Sequence, residues 1–114
     1  MGNIIQRPSN AAASVGGQTV FNCSTNTTDT ITWLFTIECN AAYGQTLTVS
    51  NCDVNSSYAA HYRTEKSSDV GLFVCNLTVF DALLSLGGCY VCADGVGTGH
   101  IYEAMLIVVG RQFQ

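Results

Sequence analysis

The sequence predicts an all-β fold, on three observations. Val, Thr, Tyr and Phe dominate the chain, and turn-forming residues recur at intervals of roughly 8 to 12. Only one short stretch, Phe80 to Leu86, reads as helical. Repeats, heptads and low-complexity tracts are missing from the 114 residues. The length predicts one domain over residues 1–114, with its core in about 3–109 and a tail or linker at 110–114.

The elements are readable in order. Gly16-Gly17 makes a turn, after which Thr19, Phe21 and Cys23 alternate with Val20 and Asn22, the period of a half-buried strand. Ile31, Trp33 and Phe35 then point inward while Leu34 and Thr36 point outward. A turn is expected over Ala41 to Gly44, a strand over Gln45 to Val49, and a further strand-like region over Cys52 to Tyr58. Leu77 and Val79 alternate with Thr78, and Ala82 plugs the turn that follows. Gly88-Cys89-Tyr90-Val91-Cys92 and Met105 to Val109 supply the last two strands, joined by a glycine-rich tip from Asp94 to Gly99. Met105 to Val109 is far too short to cross a bilayer.

Cys23, Trp33 and the Tyr90-Val91-Cys92 triplet follow the order and spacing of an internal signature. The chain resembles the immunoglobulin superfamily, as a variable-type domain of the V-set or intermediate kind, over roughly residues 3–109. The resemblance implies a two-sheet Greek-key β-sandwich in which a Cys23–Cys92 bond joins strands B and F. Trp33 on strand C then packs against it, and the Tyr90 hydroxyl reaches backbone at the E–F corner. The stretch between Trp33 and strand E has room for C′ at Gln45 to Val49, C″ at Cys52 to Tyr58, and strand D. Two departures stand out. Leu86 occupies the place of the family's aspartate, so Arg63, in the family's arginine position, has either lost its partner or found another, with Asp81 and Asp69 as the candidates. The run Gly95-Val96-Gly97-Thr98-Gly99 resembles the strand G glycine pattern of antigen receptors but lies too close to Cys92 and reads as the F–G tip. A germline-encoded receptor or adhesion domain fits better than a rearranged antigen receptor.

Six cysteines, an even number, predict three disulfides and an oxidising compartment. With Cys23–Cys92 taken from the resemblance, Cys39, Cys52, Cys75 and Cys89 allow three pairings. Aligning strands C and F as the family does sets Thr36 opposite Val91 and brings Cys89 beside Glu38 and Cys39. That register favours Cys39–Cys89 with Cys52–Cys75. The alternative, Cys39–Cys52 with Cys75–Cys89, requires an outward Cys89 to bridge two facing sheets. Extra bonds around strand C are similar to those of the T-cell immunoglobulin mucin receptors, a likeness of structure only.

Sequons at Asn22, Asn26, Asn55 and Asn76 also point to an extracellular protein, either secreted or the ectodomain of a membrane protein. Charged residues are 11% of the chain and hydrophobic ones 47%, against about 25% charged in an ordinary soluble domain. Glycans or a bound partner are expected to cover the difference. A net charge of −4 with four basic residues excludes a nucleic-acid footprint and disfavours anionic membrane contact. Met1-Gly2-Asn3 lacks the regions of a secretory signal, and a myristoylation pattern fails at Gln6, so Met1 reads as an initiator on an excised domain whose anchor or neighbours lie elsewhere.

Catalysis, cofactor and metal are not expected. Cys89-x-x-Cys92 matches a zinc or redox half-motif, but no second pair follows at similar spacing, and in a strand the two side chains point to opposite faces. His61 and His100 stand without a nucleophile elbow. A binding face remains. On the G-F-C-C′ sheet the outward residues are Leu34, Thr36, Val91, Ala93, Ile101, Met105 and Ile107, an unusually apolar set. A strand around Ile4 to Arg7, pairing beside strand G, is expected to cover Met105 and Ile107. The tip residues Asp94, Gly95, Val96, Gly97 and Thr98 complete the candidate face. The expected function is extracellular recognition of a protein partner, or self-association, through it. A structural spacer module and a secreted lectin-like recognition protein are the rivals. Carbohydrate binding is disfavoured because Trp33 is committed to the core.

Overall fold

The computed structural model describes residues 4–26, 31–37, 39, 47–49, 52–69, 72–94 and 101–110. Its strands are β1 (Ile4–Gln6), β2 (Ala11–Ser14), β3 (Thr19–Phe21), β4 (Ser24–Thr25), β5 (Ile31–Thr36), β6 (Leu47–Val49), β7 (Tyr62–Asp69), β8 (Leu72–Val79), β9 (Gly88–Asp94) and β10 (Ile101–Val109). One sheet runs β1-β4-β8-β3 with β7 on the other side of β8, and the second runs β2-β10-β9-β5-β6. In immunoglobulin lettering these are the A-B-E-D sheet, with strand B in two pieces, and the A′-G-F-C-C′ sheet.

Alternation explains why these segments pair as they do. Phe21, Cys23, Ile31, Trp33, Phe35, Leu77, Val79, Tyr90, Cys92, Ala104 and Leu106 are all buried and meet between the sheets. Each large apolar side chain so buried contributes about 1.5–3 kcal/mol. The aromatic members touch one another. Tyr90 stacks on Phe21 at 5.1 Å between centroids and tilts against Phe35 at 4.8 Å.

The signature residues do separate jobs in this core. A disulfide joins Cys23 to Cys92 with their Cα atoms 6.6 Å apart. Trp33 stands directly opposite Cys92 in the ladder, and its indole N–H donates to the Cys75 carbonyl at 3.1 Å. Tyr90 donates its hydroxyl proton to the Leu86 carbonyl at 2.8 Å. That single proton is then committed, so the Tyr62 hydroxyl, 2.7 Å away, is the donor to the Tyr90 oxygen. Burial pushes both phenols above their ordinary value, and the neighbouring Tyr62 adds to the shift at Tyr90. Ala82, fully buried, closes the E–F corner through its N–H to Gly17 and its carbonyl to Gly16.

Three expectations need correction. The first concerns the N-terminus: β1 pairs with β4 in the A-B-E-D sheet, and the strand beside β10 is β2, parallel to it, with Leu106 opposite Ala11 and Val109 opposite Ser14. The switch between sheets falls at Pro8, the chain's single proline, which has no N–H to give a ladder. Arg7, just before it, lies 4.5 Å over the Tyr102 ring, and Asn10, just after it, accepts from the Met105 N–H at 2.8 Å.

The second concerns C″. Residues 52–58 form no strand. Cys52 takes a left-handed φ of 59°, and a 3-10 turn follows at Ser56–Tyr58, capped by the Asn55 side chain. Cys52 still gives its N–H to the Ile31 carbonyl of β5, and its bond to Cys75, with the Thr64 hydroxyl donating to its carbonyl, ties the chain from there to the opposite sheet. Of the C′ expectation Leu47–Val49 forms β6, while residues 45 and 46 and the Ala41 to Gly44 turn lie outside the described residues.

The third is register. Leu34, not Thr36, stands opposite Val91, and Thr36 stands opposite Cys89. The shift is two residues, which leaves every side chain on its expected face, and it is the arrangement that sets Trp33 against the buried Cys92. Arg63 lays its guanidinium 5.2 Å from the Phe80 centroid. Among the described residues the ion pair present is Lys66–Asp53, at 3.8 Å.

Candidate interaction face

Strands β5, β9 and β10 set the outward residues of the A′-G-F-C-C′ sheet in cross-strand rows. Thr36, Cys89 and Met105 form one, Leu34, Val91 and Glu103 the next, and Thr32, Ala93 and Ile101 the third. The sequence placed Leu34, Thr36, Val91 and Ala93 at the centre of an exposed face, and the burial differs. Thr36, Val91 and Ala93 are 3%, 7% and 2% exposed, and Leu34 is half-buried. Val91 stands between Leu34 and Glu103, and the Ala93 methyl is too short to rise above its row. Outward direction on a central strand does not amount to exposure.

Exposure has moved to the sheet's G side. Ile101, Met105, Ile107 and Val109 are 57%, 38%, 57% and 51% exposed, every second residue of β10 apart from the half-buried Glu103. Pairing with β2 does not cover them, because a neighbouring strand shields in the plane of the sheet, and the residues beside Ile107 and Val109 are Ala12 and Ser14. Val109 went unrecognised in the sequence, although the period-two run from Ile101 already contained the signal.

The second bond holds this face together. Cys89 points outward, fully buried, and is joined to the half-buried Cys39, with Cα atoms 5.1 Å apart. The Cys39 sulfur lies 3.5 Å from Met105 Sδ, a packing contact between two soft atoms. The Glu103 carboxylate comes within 4.8 Å of both cysteine sulfurs. With those sulfurs bonded to each other, the cluster has no thiolate with which to hold a metal. The third bond, Cys52–Cys75, has its Cα atoms 5.8 Å apart. The alternative set, Cys39–Cys52 with Cys75–Cys89, is not the one in the structure.

The remaining candidate residues divide by position. The side chain of Asp94 and all of Gly95, Val96, Gly97 and Thr98 lie outside the described residues, as does His100. His61 Nδ1 sits 2.9 Å from the Asp81 carbonyl and 3.3 Å from that of Phe80, a structural role at the D–E–F corner. The sequon asparagines Asn22, Asn26 and Asn55 are exposed, and Asn76 is half-buried. All four belong to the A-B-E-D sheet or to segments leading into or out of it.

No family model matches the chain, and no curated protein matches it. Solved structures do. A chain of the crystal structure of Dpr11 IG1 bound to DIP-gamma IG+IG2 superposes with a TM-score of 0.74 at 17% identity over 96% of this chain and 51% of that one. The RIG-5 first-domain homodimer gives 0.69 at 19% identity over 94% and 96% of the two chains. The N-terminal Ig1-2 module of the Drosophila receptor protein tyrosine phosphatase DLAR gives 0.68 at 19% over 97% and 50%. The chain thus has the immunoglobulin fold, and it spans about half the length of the chains it superposes on in the Dpr11–DIP-gamma and DLAR structures.

Proposed function

We propose that this chain is one variable- or intermediate-type immunoglobulin domain of an extracellular receptor or adhesion protein, and that it binds a protein partner or a second copy of itself. The observation that carries the reading is the exposed row Ile101, Met105, Ile107 and Val109, set on a sheet face pinned by the Cys39–Cys89 bond. Met105, Ile107 and Val109 follow one another along this row without a polar residue between them, and exposed apolar runs of this kind are what monomeric domains avoid unless a partner covers them. Pinning the C–C′ connection to strand F lowers the ordering cost of binding at that face. Three disulfides support an oxidising compartment. The Dpr11 and RIG-5 structures, a complex and a homodimer, show the same fold used in association.

Sedimentation velocity over a concentration series, together with capture of secreted ectodomains by the immobilised protein, tests the proposal. Ile107→Asp and Met105→Glu should abolish whatever association is seen, while Val20→Asp, on the outer side of the other sheet, should leave it intact. Equal loss in all three, or no association with anything, favours the spacer reading.

A further inference from the structure

Thr78 is a residue the fold does not explain. It lies on the outer side of β8 between Val20 and Arg63, is 1% exposed, and its hydroxyl oxygen has no hydrogen-bond partner among the described residues. A buried hydroxyl left unpaired destabilises a protein, and valine would fill the same space without it. Two residues earlier, Asn76 has a use inside the fold. The Trp33 indole takes the Cys75 carbonyl, and the Cys23 N–H turns instead to the Asn76 side-chain oxygen at 3.3 Å. That contact engages the oxygen and leaves the amide nitrogen as the atom through which a sugar attaches. The register of β3 and β4 on β8 continues through Asn22 and Asn76, which stand side by side on this outer face, with Glu65 on the other flank of Asn76.

We infer that Asn76 carries an N-linked glycan that covers the outer face of the A-B-E-D sheet, and that the Thr78 hydroxyl serves the modification of the unfolded chain, not the folded domain. The inference rests on the extracellular part of the proposed function, since it needs passage through the secretory pathway. In the transfer, the Asn76 amide nitrogen bonds to the anomeric carbon of an oligosaccharide carried on a polyprenyl pyrophosphate. The bond from that carbon to the pyrophosphate breaks, the lipid pyrophosphate leaves and the amide gives up one proton, with no change of oxidation state. The sequon pattern requires the hydroxyl at Thr78. The glycan would occupy the side of the sandwich away from Ile101, Met105 and Ile107, and it answers in part the low charge of the surface.

The full chain secreted from a eukaryotic cell line, treated with N-glycanase in heavy-oxygen water and mapped by peptide mass spectrometry, should show the tag at Asn76. Thr78→Val should erase it and Thr78→Ser should keep it. Bacterially produced, refolded Thr78→Val, which bears no glycan and retains the Asn76 contact, should melt at or above the temperature of the parent. A bare Asn76 on secreted wild-type protein overturns the inference, as does a marked fall in the melting temperature of bacterial Thr78→Val, which would give the hydroxyl a role in the fold. Neither result bears on the outer face of the other sheet, which the Ile107 and Met105 variants test separately.

Discussion

The two outer faces of this sandwich are built from the same backbone geometry and differ in how many polar side chains they expose. On the A-B-E-D side the outward residues include Asn22, Asn76, Arg63, Glu65 and Ser67, with Val20 and Leu72 as exposed apolar members among them. On the A′-G-F-C-C′ side the exposed row of β10 is Ile101, Met105, Ile107 and Val109. The two bonds besides Cys23–Cys92 differ in kind as well. Cys52–Cys75 lies within the core cluster, whereas Cys39–Cys89 lies on the outside of one sheet against Met105. One face is therefore the better suited to water and glycan, and the other sets an exposed apolar row beside an outward disulfide.

The most severe way to break that contrast is at Gly88, where the front sheet's outer bond begins. Its φ is +157°, and a Cβ there would meet the Phe35 ring at 2.7 Å and the Thr36 carbonyl at 2.8 Å. Gly88→Ala should destabilise by about 2–5 kcal/mol, from overpacking together with backbone strain, read by chemical denaturation. Next come the bonds. Replacing Cys39 and Cys89 by alanine, or Cys52 and Cys75, should cost about 2–4 kcal/mol each. The spans closed are 50 and 23 residues, so loop entropy makes the outer bond worth about 0.7 kcal/mol more. A larger loss from the Cys52–Cys75 pair would mean that core packing outweighs chain entropy.

The tyrosine pair gives a smaller effect that is specific to the shared core. Tyr90→Phe strands the Leu86 carbonyl and the Tyr62 hydroxyl and should cost about 1–3 kcal/mol. Both phenols are held above 10.0 in the folded state. Above that pH the unfolded chain loses protons that the folded one keeps, so stability falls as pH rises beyond 10 and is unaffected below it. Tyr90→Phe should flatten that decline in a pH series of denaturation curves. Smallest is the outer row itself. Ile107→Asp should change stability by no more than about 0.5 kcal/mol, while removing association. A large destabilisation would show that the residue belongs to the packing of the domain.

The sandwich was legible because its markers are local. Cys23, Trp33, Tyr90 and Cys92 announce the core, and alternation around Phe21, Phe35, Leu77 and Val79 assigns the inward faces. The face residues were harder to read, since Thr36, Val91 and Ala93 have the outward parity of exposed positions and yet are buried by their rows. A two-residue slip of register was invisible for a related reason: it preserves parity, so no hydrophobic residue changes face to betray it.

Composition and spacing were therefore enough for the all-β class, the inward pattern and the candidate residues of strand G, because side-chain period is a property of the chain's own geometry. Which strand lies beside β10, where Cys52 leads the chain after β6, and which outward residues meet solvent depended on packing between segments distant in sequence. Pro8, the Cys52–Cys75 bond and the short side chains of Ala12 and Ser14 settle those points, and each acts only through the neighbour it meets in the folded molecule.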